Sequence, residues 1–289
     1  MEDHPDIMKK IKSNYSKLSK GHKLIATFIL DKYDKAAFMT AAALGEAAEV
    51  SESTVVRFAI RIGYEGYKEL QEELQEFVKG KLTTVQRLGL TKTGYEDKES
   101  LIASIMETDK ENIKKVINEI DIDSFNKALE LILQGEQIYI IGLRSSSFLA
   151  GYLAFYLNFL FENINLINMG PNDIFEQLLK VNSKDIVLVI TYPRYSKRIM
   201  EILDYSKEKR ANIITITDSL ASPASQKSDI ALIAPSDMLS FVDSLVAPMS
   251  LINAIIIALG IEKKKDLREY FGKLEGIWKK YNIYDEIEL

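Results

Sequence analysis

The pattern of apolar and polar residues divides the chain into two parts. Between residues 7 and 80, apolar residues recur at intervals of three and four, the period of a helix with one buried face. From residue 101 onward, helical segments alternate with short continuous runs of isoleucine and valine, which are typical of parallel strands buried on both faces. We therefore predict an all-helical first part and a doubly wound α/β domain of about five parallel strands in the second.

The same patterns place the individual elements. The predicted helices of the first part are Ile7–Tyr15, Lys20–Asp31, Thr40–Ala48, Ser51–Ile62 and Tyr67–Gly80. The predicted strands of the second part are QIYIIG, INLIN, DIVLVIT, NIITIT and DIALIA, and its predicted helices cover 101–120, 123–133, 145–161, 172–181, 194–209 and 240–259. Between the two parts, Lys81–Ser100 has weak periodicity and many polar residues, so we interpret it as a linker with room for a helical start.

The segment SESTVVRFAIRIGYEGYKEL, which begins at Ser51, carries the most specific pattern. Serine is a preferred N-cap, and its hydroxyl can accept a backbone N–H of the first helical turn. One face of the predicted helix is apolar and consists of Val55, Phe58, Ala59 and Ile62. Ser53, Arg57 and Arg61 are spaced by four residues and share another face. A short helix of this kind fits the major groove of DNA, so the segment is predicted to be the recognition helix of a helix-turn-helix.

Composition and charge narrow the class of protein. Cysteine is absent, which excludes disulfides, cysteine-based zinc sites and a thiol nucleophile. The net charge of −5 argues against a protein that coats nucleic acid indiscriminately. Six lysines nevertheless lie between Asp6 and Asp31 without any carboxylate, which indicates either phosphate contact or a solvated basic helix. The N-terminus lacks the apolar run of a signal peptide, and the longest apolar runs are too short for a bilayer, so we expect a cytoplasmic protein without membrane contact.

Four segments resemble those of a known family. They are VSESTVVRFAIRIGYEGYKEL in the first part, and IGLRSSSFLA, DIVLVITYPRYSKRIMEIL and ANIITITDSLASPAS in the second. Their sequence and order resemble the RpiR-type transcriptional regulators, which carry an N-terminal helix-turn-helix domain and a C-terminal sugar isomerase (SIS) domain that binds phosphosugars. The resemblance implies a helix-turn-helix domain over residues 1–80, a linker over 81–100, and a SIS domain with C-terminal helices over 101–289.

The resemblance also implies a mode of action. Such a regulator binds double-stranded operator DNA, senses a small anionic effector, usually a sugar phosphate, and needs no cofactor or metal. Family members pair through their SIS domains, so a homodimer or homotetramer is expected. Repressors and activators both occur, and a repressor is our working assignment.

Specific residues of the first domain follow from the family pattern. The first helix of the motif is then Ala41–Ala48, and its turn is Glu49–Val50. DNA contact is predicted for Ser51, Ser53, Thr54, Arg57 and Arg61 on the recognition helix, and for Tyr67 and Lys68 at backbone phosphates. Two alternatives stay open, since Arg57 can form an ion pair with Glu46 or Glu69, and Tyr67 can pack within the domain.

The helix-turn-helix segment departs from the family pattern at two positions. The family usually has glycine where this chain has Glu49, and a left-handed glutamate costs about 1–2 kcal/mol. The family has a small alanine where this chain has Gly45, and glycine inside a helix costs up to about 1 kcal/mol. Both departures are expected to weaken the local stability of the motif.

The first loop of the second domain is predicted to bind an anion. In the SIS pattern, a glycine-containing loop after the first strand ends in a serine that meets the phosphate, and here Ser146 falls on that serine. Hydroxyls and backbone N–H groups at a helix N-terminus form an anion site. The predicted contacts in this loop are Arg144, Ser145, Ser146 and Ser147. The alternative is a capping run of serines that binds no ligand.

The second loop departs further from the family pattern. The family has Ser-x-Ser-Gly-x-Thr, whereas this chain has Thr191-Tyr192-Pro193-Arg194-Tyr195-Ser196. Pro193 removes a hydroxyl and a backbone N–H, and Arg194 replaces a glycine. Arginine binds phosphate or carboxylate through two parallel hydrogen bonds, so Arg144 and Arg194 can compensate. The predicted contacts here are Thr191, Arg194, Tyr195 and Ser196, and weaker candidates are Asp218, Ser219, Ser222, Ser240, Asp243 and Ser244.

An enzyme is the main alternative, because SIS domains also occur in phosphosugar isomerases. Isomerisation needs a general base and usually a ring-opening acid, often a histidine. The two histidines, His4 and His22, both lie in the predicted DNA-binding part, and the nearest acids, Glu176 and Glu201, lie on ordinary helical faces. We therefore expect no catalytic residues. The alternative is a phosphosugar isomerase or phosphosugar-binding protein whose helical domain serves assembly.

Overall fold

The computed structural model describes residues 7–79, 82–89, 97–170 and 172–284. The chain divides into two compact units. One unit comprises Met1–Lys98 together with Met238–Asp243, and the other comprises Glu99–Asp237 together with Ser244–Leu289. Each unit is built around hydrophobic side chains of its own.

The N-terminal unit is helical, as predicted. Its helices are α1 (Ile7–Asn14), α2 (Lys20–Asp31), α3 (Tyr33–Ala36), α4 (Ala41–Ala47), α5 (Glu52–Arg61), α6 (Tyr67–Lys79) and α7 (Thr84–Gly89). The bounds of α2 are those predicted, whereas the single turn of α3 was missed because four residues are too few to show a period. The apolar faces of α2, α5 and α6 meet in the core, where Ile25, Phe58 and Leu70 are fully buried.

The turn between α4 and α5 explains the two departures from the family pattern. Glu49 has the left-handed backbone conformation that the sequence predicted, with φ of 55°. Gly45 is buried, and a Cβ atom at this position would lie 2.9 Å from the carbonyl oxygen of Val50. The N–H of Val50 donates to the carbonyl of Gly45 at 2.8 Å. Gly45 therefore does more than weaken a helix, because its missing side chain allows the turn to pass close to α4.

The predicted linker contains ordered structure. Its residues 84–89 form α7, and Arg87 of this helix is buried in the N-terminal unit. The guanidinium of Arg87 donates to both carboxylate oxygens of Asp243, at 2.8 and 2.9 Å. Residues 90–96 of the predicted linker lie outside the described residues, and its last residues, from Lys98, begin the next helix.

The C-terminal unit is an α/β domain of the predicted class. Its strands are β1 (Ile138–Gly142), β2 (Ile164–Ile167), β3 (Ile186–Ile190), β4 (Asn212–Thr217) and β5 (Ile230–Ile233). They pair in parallel in the order β2-β1-β3-β4-β5. Its helices are α8 (Lys98–Glu119), α9 (Ile122–Gln134), α10 (Ser146–Leu157), α11 (Ile174–Gln177), α12 (Lys197–Glu208), α13 (Val246–Glu262) and α14 (Lys264–Tyr281).

Helices cover both faces of the sheet. Side chains such as Ile138 and Ile140 pack with α9, α10 and α13 on one face, while Tyr139 and Ile141 pack with α11 and α12 on the other. This alternation makes β1 and β3 buried throughout, as their continuous apolar runs predicted. The predicted helix at 172–181 is shorter than expected, since α11 is a single turn. The charged helix α14 belongs to the C-terminal helices that were expected, but no bounds were predicted for it.

Among the described residues, no single helix is both long and apolar enough to cross a membrane. Helices α13 and α14 together have the length and the apolar composition of a span, but they meet at a bend of 96°. The described part of the chain contains no cluster of three or more metal-ligating side chains.

Candidate DNA-binding and ligand-binding sites

Helix α5 presents one face to solvent and buries the other. Val55, Phe58 and Ala59 are fully buried, whereas Arg57 and Arg61 are exposed. Helix α4, which precedes it, begins at the N-cap Thr40, whose hydroxyl accepts the N–H of Ala43 at 3.2 Å. The two faces of α5 are therefore divided as the spacing predicted.

The hydroxyl groups at the start of α5 form a small cluster. Ser51 occupies the N-cap position, but its hydroxyl accepts no backbone N–H, so the predicted capping bond is wrong. Its Oγ atom instead lies 3.0 Å from Oγ of Ser53 and 2.8 Å from Oγ1 of Thr54. Three of the residues predicted to contact DNA are thus linked to one another by hydrogen bonds.

Arg57 is held along its own helix. Its Nε atom donates to the carbonyl of Ser53 at 3.2 Å, and its Nη2 atom donates to the Oγ of Ser53 at 3.4 Å. Within the described part of the chain, Arg57 has no carboxylate at ion-pair distance, and Glu69 instead accepts the N–H of Glu65 at 2.6 Å. The structure therefore does not favour the alternative in which Arg57 serves only as a structural ion pair.

Tyr67 and Lys68 differ from each other. Tyr67 is buried, and its hydroxyl donates to the carbonyl of Met39 at 2.7 Å. Burial raises the pKa of Tyr67 to about 12. The phosphate contact predicted for Tyr67 is therefore corrected to a packing role within the domain. Lys68 has 90% of its side chain exposed and lies 3.9 Å from Glu72, a loose contact that leaves its ammonium accessible.

In the C-terminal unit, the first two predicted ligand loops follow neighbouring strands. Gly142 at the end of β1 pairs with Ile190 at the end of β3. From β1 the chain continues to β2 on one side, whereas β3 is followed by β4 on the other. The order of strands thus reverses between β1 and β3, the position at which open α/β sheets bind ligands beyond the carboxyl ends of their strands.

The first loop joins β1 tightly to α10. A Cβ atom at Gly142 would lie 2.3 Å from the carbonyl oxygen of Ser146, so only glycine allows this approach. Ser146 is buried at the first position of α10, and Arg144 is exposed with φ of 57°. Ser147 is also exposed, and its hydroxyl donates to the carbonyl of Arg144 at 2.6 Å.

The serines of this loop are not simple caps. Ser145 occupies the N-cap position of α10, but its side chain accepts no backbone N–H. The N–H groups of Ser147 and Phe148 donate instead to the carbonyls of Arg144 and Ser145, at 3.0 and 3.3 Å, so backbone closes the first turn. Because the serine hydroxyls do not cap these N–H groups, simple capping does not account for the run of serines.

The second loop is joined to the end of β4. The hydroxyl of Tyr195 donates to Oδ1 of Asp218 at 2.7 Å, and Oγ1 of Thr217 donates to the same oxygen at 3.0 Å. Tyr192 is buried, and burial together with the nearby charge of Asp218 raises the pKa of its hydroxyl. The position of Asp218 directly after a strand was the sequence signal for it, but its bond to Tyr195 was not foreseeable.

The other predicted residues of these loops have varied surroundings. Thr191 is buried, and its N–H donates to the carbonyl of Ile216 at 3.1 Å. Ser196 is at the N-cap of α12 without a capping bond from its side chain, and Arg194 is exposed. In the third loop, Ser222 accepts the N–H of Ser225 at 3.0 Å, as expected of a local turn.

Two family models match the chain. The helix-turn-helix domain of the rpiR family matches residues 6–80, and the SIS domain matches residues 131–258. The chain belongs to the RpiR family. Its helical unit and its α/β unit hold the two domains of these transcriptional regulators, in the order that the sequence indicated.

Relatives of this RpiR-family chain extend over nearly its whole length. The transcriptional regulator HexR of Pseudomonas aeruginosa is 23% identical over 277 residues, which is 93% of the chain and 94% of HexR. Among solved structures, NanR of Vibrio vulnificus in complex with ManNAc-6P has a TM-score of 0.58 at 18% identity, covering 95% of this chain and 98% of NanR. The sugar isomerase domain of RpiR from Sphaerobacter thermophilus has a TM-score of 0.58 at 19% identity, covering 61% of this chain and 98% of that domain. Both of these solved structures share the fold of the part of this chain that they cover.

The geometry of the first loop gives a stability prediction for the RpiR-family chain. In Gly142→Ala, the new methyl group would collide with the carbonyl of Ser146 and lie 2.9 Å from Cβ of Ala150. We expect a loss of about 1–3 kcal/mol in the free energy of unfolding, since the strand end and α10 must move apart. Urea denaturation followed by circular dichroism measures this.

The matched control is Gly151→Ala in the middle of α10, where no atom lies within 4 Å of the new methyl group. This substitution is expected to leave stability unchanged or to raise it by up to about 1 kcal/mol, because alanine favours helix. Equal stability of both variants would contradict the close approach at Gly142.

Proposed function

We propose that this protein is a DNA-binding regulator whose operator affinity is controlled by a sugar phosphate or a related small anion bound to the SIS domain. The observation that carries the DNA-binding half is the exposure of Arg57 and Ser53 on α5, opposite a fully buried stripe. We propose that it acts in the cytoplasm without membrane contact, as a repressor, which is one of the two kinds of regulator expected in this family.

The chemistry of α5 suits the major groove. The guanidinium of Arg57 can donate two parallel hydrogen bonds to O6 and N7 of guanine, or it can bind a phosphate. The linked hydroxyls of Ser51, Ser53 and Thr54 both donate and accept, and can therefore contact either a base edge or a phosphate. Arg61 and Lys68 are exposed cations that suit backbone phosphates.

Substitution of Arg57 tests the DNA-binding half. A duplex enriched from a random pool by the wild-type protein serves as the probe. In a gel-shift assay, Arg57→Ala should lose about 1–3 kcal/mol of binding free energy, or all detectable binding if the contact is bidentate to a base. Circular dichroism should be unchanged, because the side chain is exposed and its hydrogen bonds to Ser53 lie within its own helix.

A control variant is Arg268→Ala, which removes an exposed arginine from α14 and has no place in the proposed interface. It should bind the duplex as the wild type does. If Arg57→Ala binds the duplex as tightly as the wild type, α5 is not the recognition helix.

The proposed binding of an effector to the SIS domain rests on the loop between β1 and α10. Buried Ser146, exposed Arg144 and the positive end of the α10 dipole together provide a hydroxyl, a cation and a favourable field for an anion. Support also comes from NanR, a neighbour in fold whose structure contains ManNAc-6P. Because Pro193 and Arg194 replace a hydroxyl, an amide and a glycine of the family pattern, sugar acids belong beside phosphosugars among the candidate effectors.

A ligand screen tests the effector half. A ligand that binds the native state raises its melting temperature, so a panel of phosphosugars and sugar acids should contain at least one that stabilises the wild type. Arg144→Ala should lose this shift, while the parent neutral sugars should give none in either protein. The active compound should then change duplex affinity about 5–150-fold, the range of an ordinary coupling of about 1–3 kcal/mol.

The decisive negative result is a compound that saturates the SIS domain and leaves duplex affinity unchanged. Binding without coupling would reduce the C-terminal unit to a passive domain.

The surroundings of the acidic candidates argue against isomerase activity. Glu176 accepts the N–H of Asp173 within a capping box, and Glu201 lies 3.4 Å from Arg198. Neither carboxylate is arranged as a general base, and both histidines of the chain lie outside the SIS domain. We therefore propose sensing without turnover, and robust conversion of an effector by the purified protein would overturn this.

The C-terminal unit carries an apolar surface that suits pairing of two chains. Helices α10 and α13 are apolar all round, a composition typical of helices buried on every side. Phe155 on α10, and Ile257 and Ile261 on α13, are nevertheless 58%, 63% and 66% exposed. A second copy that covers these side chains would form the proposed homodimer and place two recognition helices on half-sites about 34 Å apart or a multiple of it.

Substitution of Ile257 tests this pairing. Ile257→Asp places a charge in the centre of the proposed interface and should shift the sedimentation coefficient to that of a monomer, because an unpaired buried charge is costly. Leu179→Asp is the control, since Leu179 is a similarly exposed apolar residue that lies outside the helices α10 and α13. If Ile257→Asp and Leu179→Asp assemble to the same extent, the surface formed by α10 and α13 is not the interface between the two chains.

A further inference from the structure

His22 lies at the junction of α2 and the recognition helix. Its backbone N–H, in the first turn of α2, lies 3.4 Å from the hydroxyl of the N-cap Ser19. Its half-buried ring packs edge-on against Phe58 of α5, with ring centroids 5.8 Å apart and an interplanar angle of 67°. Its neighbour Gly21 is also close to α5, since a Cβ atom there would lie 3.4 Å from Cγ2 of Thr54. The start of α2 is therefore packed against the residues proposed to meet DNA.

The charged groups around His22 are cations. From α5, the guanidinium groups of Arg57 and Arg61 act on the ring electrostatically. From α2 itself, Lys20 and Lys23 flank it in the sequence. In the described part of the chain, no carboxylate forms an ion pair with His22. The acids Asp31 and Glu49 line a groove that includes Lys20 and Lys23.

The free protein thus favours a neutral imidazole. Burial lowers the pKa of His22 below its ordinary value of 6.5, and the charges of Arg57 and then Arg61 lower it further. Phosphate groups bound at this surface would reverse the electrostatic part of this effect, because each brings a negative charge next to the same cations.

We propose that His22 is a further DNA-contacting residue, which takes up a proton as the duplex binds and then donates a hydrogen bond to a phosphate. This inference rests on the proposed function of α5. It distinguishes His22 from Lys20 and Lys23, because histidine is the side chain whose ordinary pKa places its change of charge between pH 5 and 8.

The proposal sets the sign of two pH dependences. Proton uptake on binding requires that duplex affinity rises as the pH falls through the pKa of the complex, by at most tenfold per pH unit for one proton. The pH dependence of folding stability has the opposite sign, because the pKa of His22 is lower in the folded state than in the unfolded state. The contribution of His22 to stability is present above pH 6.5 and is lost as the pH falls toward the lower pKa of the folded state.

The experiment compares the wild type with His22→Gln on one duplex enriched from a random pool. Fluorescence anisotropy at constant ionic strength, from pH 5.5 to 8, gives the affinities. The wild type should bind several-fold tighter at pH 6 than at pH 8, and His22→Gln should remove this gain while it matches the wild type at pH 8. Lys23→Gln is the control, which removes a cation next to His22 in the sequence and should leave the pH dependence of the wild type in place.

Proton NMR gives a direct measurement on the intact protein. The chain has two histidines, His4 and His22, so the His22→Gln variant assigns the ring signals. The pKa of His22 should lie below 6.5 in the free protein and rise when the duplex is added. A pKa that is unchanged or lowered by DNA would overturn the proposal.

The outcomes separate this proposal from the one it rests on. If the wild type binds no duplex, or Arg57→Ala binds as well as the wild type, the recognition-helix assignment fails. If binding depends on Arg57 but His22→Gln keeps the full pH dependence of the wild type, the role of α5 stands and that of His22 is wrong.

Discussion

Burial of the Phe58 side chain is the constraint on which the candidate DNA-binding surface depends. Phe58 is fully buried together with Val55 and Ala59, and these three positions fix the rotation of α5 about its axis. With 3.6 residues per turn, that rotation leaves Ser53, Arg57 and Arg61 on the outside. The exposed face is thus determined by packing on the opposite face, and the edge contact of the same ring with His22 ties α2 to this arrangement.

In both candidate sites, a glycine of the preceding element lets its backbone approach the start of the helix that carries the site. A Cβ atom at Gly45 would lie 2.9 Å from the carbonyl of Val50 and 3.2 Å from the N atom of Glu52, at the beginning of α5. A Cβ atom at Gly142 would collide with Ser146, at the beginning of α10. In each case backbone passes close to backbone, and the first turn of a helix is placed against the preceding element. The hydroxyls of the first turn, at Ser53 and Ser146, are positioned by this contact.

The sequence predicted the elements whose pattern is set by burial. Helix α2 begins and ends where its apolar period indicated, and the five strands follow their isoleucine and valine runs to within one or two residues. Helix α14, one of the expected C-terminal helices, was given no bounds, although Leu267, Tyr270, Phe271 and Leu274 recur at helical spacing. None of its residues is buried, so burial within this unit does not account for that stripe.

Side-chain contacts between distant segments were less predictable than the elements. The period of α6 shows that Tyr67 lies at its start, but the carbonyl of Met39 that accepts its hydroxyl is 28 residues away. Likewise, serine at an N-cap normally binds backbone, and only the neighbouring hydroxyls of Ser53 and Thr54 explain why Ser51 does not. Helix propensity and spacing decide the backbone, whereas the partners of polar side chains depend on the tertiary fold.

The net negative charge of the chain does not oppose the proposed attraction to DNA, because charge acts over short distances in salt. At physiological ionic strength the Debye length is about 8 Å, so exposed carboxylates farther than that from a phosphate are largely screened. In the proposed interface, a duplex would meet the exposed cations Arg57 and Arg61 at α5, together with the exposed carboxylate of Glu52 in its first turn. The run from Lys9 to Lys23 contains no acid and would add to the local attraction, while the net charge of −5 would limit indiscriminate binding elsewhere.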